Sequence, residues 1–475
     1  MDPTRSMQPG SRRPAPDPAR PARRTDATFR RMAIAGIAIV ALGAGAACTA
    51  GKPGEAATST PAPARSVQPA SAAPPTQAAR TDGIPSVTTQ VPDLLLLHRA
   101  DGSGYDLVEP ENGSVAFSIR DGVLANDHQQ VYSVEPNGAS TQVDIAWTEG
   151  GDLVRQIPVT GSWALPRVGM DQALAGLSAD GSTLVLVDDS PTAKSAGSTR
   201  FAVVSTDGKQ KPNIIELAGR FEFDAISPDG RLLYVLEHFA GGDPTHYDVR
   251  QVDVRTGRLA EGRVVDKRNI DEVMAGYAVT QMAGPQGWFY TVYRSKDGAF
   301  IHALSTSDGV AFCIDLPGGP EDEATAASWG LALEENGSGL YAANARLGLA
   351  VDVDLQEFEV RKEGRLAGAT PLVVLAKFES ATWVGGSAAS LGPDGKLLFV
   401  AGNRGVIAVR TKDLSTAMLL GTSTRFTDVA VSGSGAVFAL TDAGSVFQLD
   451  ATGGKRSASI ASNRYDAISA VLTMP

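Results

Sequence analysis

Cysteine is nearly absent: 475 residues hold two, Cys48 and Cys313, so no disulfide framework is implied. Histidine is scarce at five residues, and neither an HExxH helix nor a paired zinc-knuckle spacing occurs. A P-loop and a nucleophile elbow are missing as well, which removes the commonest signatures of nucleotide and acyl-transfer chemistry. Basic residues are in deficit, with 42 Lys and Arg against 53 Asp and Glu. The first 31 residues carry eight arginines and three aspartates, so a net charge of -11 overall becomes -16 for the rest. An acidic body argues against nucleic acid as partner, because phosphate binding needs clustered Lys and Arg. Long apolar runs are also lacking. The one candidate, residues 32–47, has 16 residues and is softened by Gly36, Gly43 and Gly45, short of the roughly 20 that span a bilayer as a helix.

That run has a recognisable setting. Residues 1–31 are Arg- and Pro-rich without apolar periodicity and read as a disordered basic extension. They end in Arg30-Arg31 directly before "MAIAGIAIVALGAGAAC" at 32–48, the order of an export signal; an uncleaved signal anchor is the other reading. Gly45-Ala46-Ala47-Cys48 resembles a bacterial lipobox, with glycine where that family usually has leucine, and the resemblance implies acylation at Cys48. Arg30-Arg31 also resembles a twin-arginine signal. Residues 49–90 are Ala, Pro, Ser, Thr and Gln with few large apolar side chains, a composition expected of a disordered tether.

From residue 91 the composition changes. Glycine is abundant, at 51 in the whole chain, and Asp-Gly or Asn-Gly pairs recur between apolar runs, the strongest short-range hairpin signal. "FDAISPDGRLLYVLE" at 223–237 returns as "AASLGPDGKLLFVAG" at 388–402 and, altered, as "LAGLSADGSTLVLVDD" at 174–189. First-hairpin turns fall at Asp180-Gly181, Asp229-Gly230, Asn336-Gly337 and Asp394-Gly395, with weaker ones near 127–130, 286–287 and 433–435. Second-hairpin turns fall at Asn112-Gly113, Gly150-Gly151, Asp207-Gly208, Thr256-Gly257, Asp308-Gly309, around Asp413, and at Gly453-Gly454. Innermost strands are then expected to begin near 122, 173, 224, 277, 329, 387 and 428.

Four short strands per unit at this spacing mark an all-β fold, a single β-propeller occupying 91–475. The two ends of that region complete each other. "RYDAISAVLTM" at 464–474 matches the first strand of a unit, while 92–119 reads as three strands lacking that first one. Joined, they form one blade of one C-terminal and three N-terminal strands, which leaves no open sheet edge. The count is eight blades; seven is the alternative if the weak unit at 122–158 is misread.

"SPDGRLLYVLE" and "GPDGKLLFVAGNRGVIAVRTKDLS" resemble the YVTN-type repeat of lactonase-like and quinoprotein-amine-dehydrogenase-like propellers. The resemblance covers four units; none has the Gly-His to Trp-Asp pattern of true WD40 blades. It implies a propeller and admits surface binding proteins and lactone hydrolases alike, and fold alone does not choose among them.

Three units place an acid near the start of the innermost strand, after a basic and an aromatic residue. These are Arg220, Phe221 and Asp224; Arg425, Phe426 and Asp428; Arg464, Tyr465 and Asp466. Such carboxylates could ring the channel mouth and hold a divalent cation; the plainer reading has each accept backbone N–H bonds or pair with its own arginine. Glu237, His238, Asp243 and His246, in "LEHFAGGDPTHYD", carry donor types that suit zinc, though without standard local spacing, so exposed loop residues are the plainer reading. Glu321-Asp322-Glu323 could attract a cation or a basic partner but reads as a solvated charge run. Cys313, in the apolar "VAFCIDL", reads as an inert buried thiol. His98, His128 and His302 are scattered without a partner pattern.

The expectation is an exported, membrane-anchored, monomeric propeller on the outer face of the bacterial cytoplasmic membrane, binding an envelope protein, peptide, polysaccharide or small ligand. A lactonase-like metal-dependent hydrolase and a purely structural envelope component are the alternatives. No catalytic residue and no cofactor is named, beyond the divalent cation that the carboxylates and histidines could hold.

Overall fold

The computed structural model describes residues 93–193, 197–239, 243, 245–271, 273–367, 388–450, 456–461 and 464–473. The basic extension, the export segment with Cys48, the tether up to residue 90 and the Gly453-Gly454 turn lie outside them. Among the described residues no helix is long and apolar enough to cross a membrane.

Among the described residues eight antiparallel sheets of four or more strands follow one another along the chain and make a β-propeller. Blade 1 pairs Asp93–Arg99, Gly104–Val108 and Val115–Arg120 with the C-terminal Tyr465–Thr473, which takes the innermost place. The expected closure of three N-terminal strands by one C-terminal strand is therefore present, and the count is eight. The weak unit at 122–158 is a full blade 2, built of Val123–Leu124, Gln130–Asn137, Ser140–Trp147 and Leu153–Thr160. Its degraded turn signal has a local reason: His128 takes the left-handed backbone at φ 56° that glycine supplies elsewhere.

Blades 4 to 8 begin with Arg220–Ile226, Tyr277–Ala283, Trp329–Leu333, Ala389–Leu391 and Phe426–Val431. Blade 3 departs from expectation. Its innermost place is filled first by Trp163–Ala164, which pairs with the end of Thr183–Asp188, and then by residues 176–178, which bond to the same strand's first half. Between these two legs the chain leaves the sheet as a hairpin of Arg167–Val168 and Ala173–Leu174. The repeat phrase at 174–189 matches only the returning leg.

The core lies between blades. Eight apolar clusters each bridge one pair of neighbours, among them Leu184 and Leu186 with Tyr132, and Phe438 and Leu440 with Tyr465. This explains why strands such as Leu94 to Leu97 are apolar without alternation. Leu94 and Leu96 pack toward blade 2, and Leu95 and Leu97 toward blade 8. A strand with both faces covered has no solvated side to mark with polar residues, and each leucine buried this way contributes roughly 1.5–3 kcal/mol.

The Ser-Pro-Asp-Gly phrase is turn chemistry. The Ser227 hydroxyl donates to Asp229 Oδ1 at 2.8 Å and accepts from the Leu232 N–H at 2.9 Å, while Gly230 sits at φ 68°. The Ser178–Asp180–Gly181 version repeats it. Second turns are tied to first turns in the same blade by a threonine: Thr206, Thr306 and Thr411 donate to the carbonyls of Gly181, Gly287 and Gly395.

Candidate functional site

Innermost strands start at the face formed by the inter-blade loops, and bulges there decide where the acids point. Asp224 and Asp466 are each the extra residue of a bulge, between Phe223 and Ala225 and between Tyr465 and Ala467. In blade 8 the extra residue is Thr427, so Asp428 stays in the ladder. An inserted residue rotates the side chains that follow it, which is why three similar phrases give three environments.

Asp428 is buried and accepts the Val429 N–H on Oδ1 and the Ile468 N–H on Oδ2, both at 2.7 Å. It thereby couples blade 8 to the innermost strand of blade 1. Asp466 lies 2.6 Å from Nδ1 of the buried His98, whose Nε2 is 3.4 Å from Asp121 Oδ1. Burial disfavours the charged imidazole, but the two carboxylates outweigh it and push its pKa up to about 9. Arg167, from the blade 3 hairpin, approaches Asp121 at 3.9 Å. Asp224 is buried; Gln281 Nε2 donates to its carbonyl at 3.2 Å and reaches Oδ1 at 3.5 Å. Its Oδ2 meets no donor among the described residues, and burial raises its pKa to about 7.

The three acids are thus engaged at separate junctions. Among the described residues no group of three His, Cys, Asp or Glu side chains is placed to hold a metal ion. Nor does each acid pair with its own arginine: Arg220 goes to Glu222, Arg425 to Asp442, and Arg464 to Asp106. Asp106, unremarked in the sequence, is the hub of the closing blade. This buried carboxylate accepts from Arg99, Ser118 and the Tyr465 hydroxyl, and so joins the C-terminal strand to the N-terminal ones.

The loop of blade 4 brings together only two of its four candidates, Asp243 and His246. Glu237 pairs with Arg250, His238 lies 3.3 Å from Glu222, and His246 lies 3.3 Å from Asp243. His238 is partly buried beside Tyr247, whereas His246 and Asp243 are about half exposed. Around them the loop face of blades 4 and 5 leaves four large apolar side chains in solvent: Phe239, Ile270, Val273 and Tyr277. They belong to contiguous segments, since His246-Tyr247 pairs with Met274-Ala275 and the Gly276 N–H bonds to the Thr245 carbonyl.

The blade 3 hairpin crosses to this side. Its tip donates the Met170 N–H to the Val279 carbonyl on the innermost strand of blade 5, at 2.9 Å. Gly169 is required at that crossing: it sits at φ 73°, and a Cβ would lie 2.6 Å from the Val279 oxygen. The hairpin also touches the innermost strand of blade 4, so it runs along the channel wall. Asp171, behind the tip, is buried; burial raises its pKa to about 6 against the hydrogen bonds from Thr280 and the Ala173 N–H.

The acidic segment after residue 320 is less solvated than expected. Glu321 is buried and accepts the Trp329 indole N–H at 3.0 Å, with its pKa raised to about 7 by burial. Asp322 caps the short helix Glu323–Ala326. Cys313 is half-buried, less enclosed than its apolar strand suggested, and is the direct cross-strand partner of His302. Burial drives the His302 pKa down to about 4, so its ring is neutral. Sequence reading passed over His98 and His302 because their partners lie on other strands.

No protein-family model matches the chain, and no curated protein does. Solved structures align with it at low identity. AztD from Citrobacter koseri, in its apo form, aligns at 11% identity over 80% of this chain and 98% of its own, with a TM-score of 0.46. The Dos1 propeller aligns at 11% identity over 72% of this chain and 83% of its own, with a TM-score of 0.42. Dihydro-heme d1 dehydrogenase NirN, in complex with DHE, aligns at 11% identity over 71% of this chain with a TM-score of 0.43; this chain covers 64% of its length.

Proposed function

We propose that this chain is an exported, membrane-anchored binding propeller of the YVTN-like kind, which docks an envelope protein or peptide on the loop face of blades 4 and 5. The observation that carries the reading is the set Phe239, Ile270, Val273 and Tyr277, with the last two flanking a short strand and all four exposed. Large apolar side chains grouped in solvent cost free energy unless a partner covers them. Two acids of the loop face are meanwhile engaged within the fold, Asp466 with His98 and Asp428 with the Ile468 N–H. The basic and apolar export segment with Cys48 supports the outer-face location.

The test is site-specific photo-crosslinking of the full chain in intact envelopes. A crosslinking residue at Phe239 or Ile270 is expected to give one discrete adduct that the same residue at Ile214 or Met418, exposed on outer strands, does not. Equal labelling from all four positions, or no adduct from Phe239 and Ile270, overturns the reading.

A further inference from the structure

Below that loop face, and independent of it, blades 4 and 5 enclose a group of sulfur and nitrogen atoms. Cys313 Sγ lies 3.7 Å from His302 Nδ1 and 3.7 Å from Met274 Sδ. The three come from different elements. His302 and Cys313 are opposite each other on Ala299–Ser305 and Val310–Asp315 of blade 5, and Met274 is carried by the two-residue strand paired to blade 4. Met274 and Cys313 belong to one apolar cluster with Tyr247, Tyr293 and Ala311. His302 and Met274 are buried, and only Cys313 retains partial exposure.

We propose that Cys313, His302 and Met274 form a binding site for a soft monovalent cation, copper(I). Thiolate and thioether ligands select such ions, and imidazole suits copper. The spacing fits as well. Ligand bonds of about 2.3 Å to sulfur and about 2.0 Å to nitrogen, spread at about 120°, separate the two ligand atoms by about 3.7 Å. That is the distance between Cys313 Sγ and His302 Nδ1. Two sulfurs at about 2.3 Å from a shared ion are separated by a similar length when the angle is near tetrahedral.

Charge decides between ions. The Cys313 thiol loses its proton to solvent, the thiolate takes Cu⁺, and His302 and Met274 remain neutral donors. The resulting centre has no net charge, whereas Zn²⁺ on the same three ligands would leave one positive charge in an apolar cluster, which is costly to bury. Tyr293 stands edge-to-face with the His302 ring, centroids 6.1 Å apart at 87°, and fixes its plane. The Cys313 N–H is in turn held by Asp266 Oδ2 at 2.7 Å, which fixes the strand that carries the sulfur. Cys313, the one partly exposed residue of the three, is the point at which the ion enters.

The experiment uses the full chain in a Cys48→Ser background, so that the other thiol does not compete. Copper(I) is titrated under reducing conditions against a chromophoric copper(I) chelator. The parent is expected to withdraw one Cu⁺ per chain, with sulfur scatterers at about 2.3 Å in X-ray absorption. Cys313→Ser is expected to weaken binding by about 100-fold or more, and the volume-conserving Met274→Leu by about 10-fold. Near-UV circular dichroism checks that both variants are folded. A parent that withdraws no Cu⁺, folded variants that bind as tightly as the parent, or equal affinity for Zn²⁺ overturns the proposal. In those outcomes the sulfurs and the imidazole are core packing alone.

Discussion

His98 and Asp466 stand 368 residues apart in the chain and 2.6 Å apart in the fold. One comes from the first described strand and the other from the last, so the pair exists only when the ring is closed. The pKa of His98 is raised from 6.5 to about 9 in the folded state, a displacement worth about 3 kcal/mol. A cation gained by folding stabilises the folded state fully below the unfolded pKa and loses that contribution as pH rises through the folded one. The stability of the wild type should therefore fall between about pH 6.5 and 9. His98→Gln should be less stable at pH 6 and lose this slope. Urea midpoints measured across that range decide it, and an unchanged slope in the variant refutes the assignment.

Asp171 works in the opposite sense of charge and in a lower window. Burial raises its carboxyl from 3.8 to about 6, so folding favours the protonated acid and stability declines as pH rises across that interval. Asp171→Asn keeps the shape and cannot ionise. Its melting temperature should match the wild type near pH 4 and exceed it at pH 7, by an amount corresponding to about 2–3 kcal/mol. Equal melting temperatures at both pH values would show that the hairpin tip is more hydrated than its burial implies.

Removal of residues 464–475 should abolish cooperative folding rather than trim a tail. The last strand pairs along Asp93–Arg99 from Thr473 to Tyr465, and it delivers the Ile468 N–H to Asp428 and the Tyr465 hydroxyl to Asp106. Calorimetry of the truncated chain should show no two-state transition at the wild-type temperature. A sharp transition there would refute closure by this strand.

Attachment to the membrane is expected to depend on Cys48. In fractionated cells, Cys48→Ser should move the protein from the membrane pellet to the soluble extracytoplasmic fraction. A variant that stays in the pellet would assign the attachment to an uncleaved apolar segment instead.

Much of the architecture could be read from the sequence because propeller blades advertise their turns. Asp180-Gly181, Asp229-Gly230 and Asp394-Gly395 need glycine at positive φ, and that need is local. The blade 3 excursion was not visible, since Trp163–Ala164 and Arg167–Val168 are strands of two residues whose partners lie elsewhere. The site residues fared less well for a related reason. The Arg–aromatic–Asp phrases look alike, but a one-residue bulge sends Asp466 to His98 and buries Asp224 against Gln281. Bulge position is a property of the strand pair, not of the phrase. Asp106, His302 and Met274 gave no signal at all, because each acquires meaning only from a residue on another strand.

The closing blade also sets the order of events in biogenesis. Strands made first, Asp93 to Arg120, have no innermost neighbour until Tyr465–Thr473 has been synthesised and delivered to the same place. Until then the nascent ring carries an unpaired edge, the feature most prone to aggregation. Non-local closure of this kind makes folding slow, so the fold can lock only after the last strand has been synthesised. Any partner that holds the early strands during that wait would act on yield and leave the stability of the finished ring unchanged.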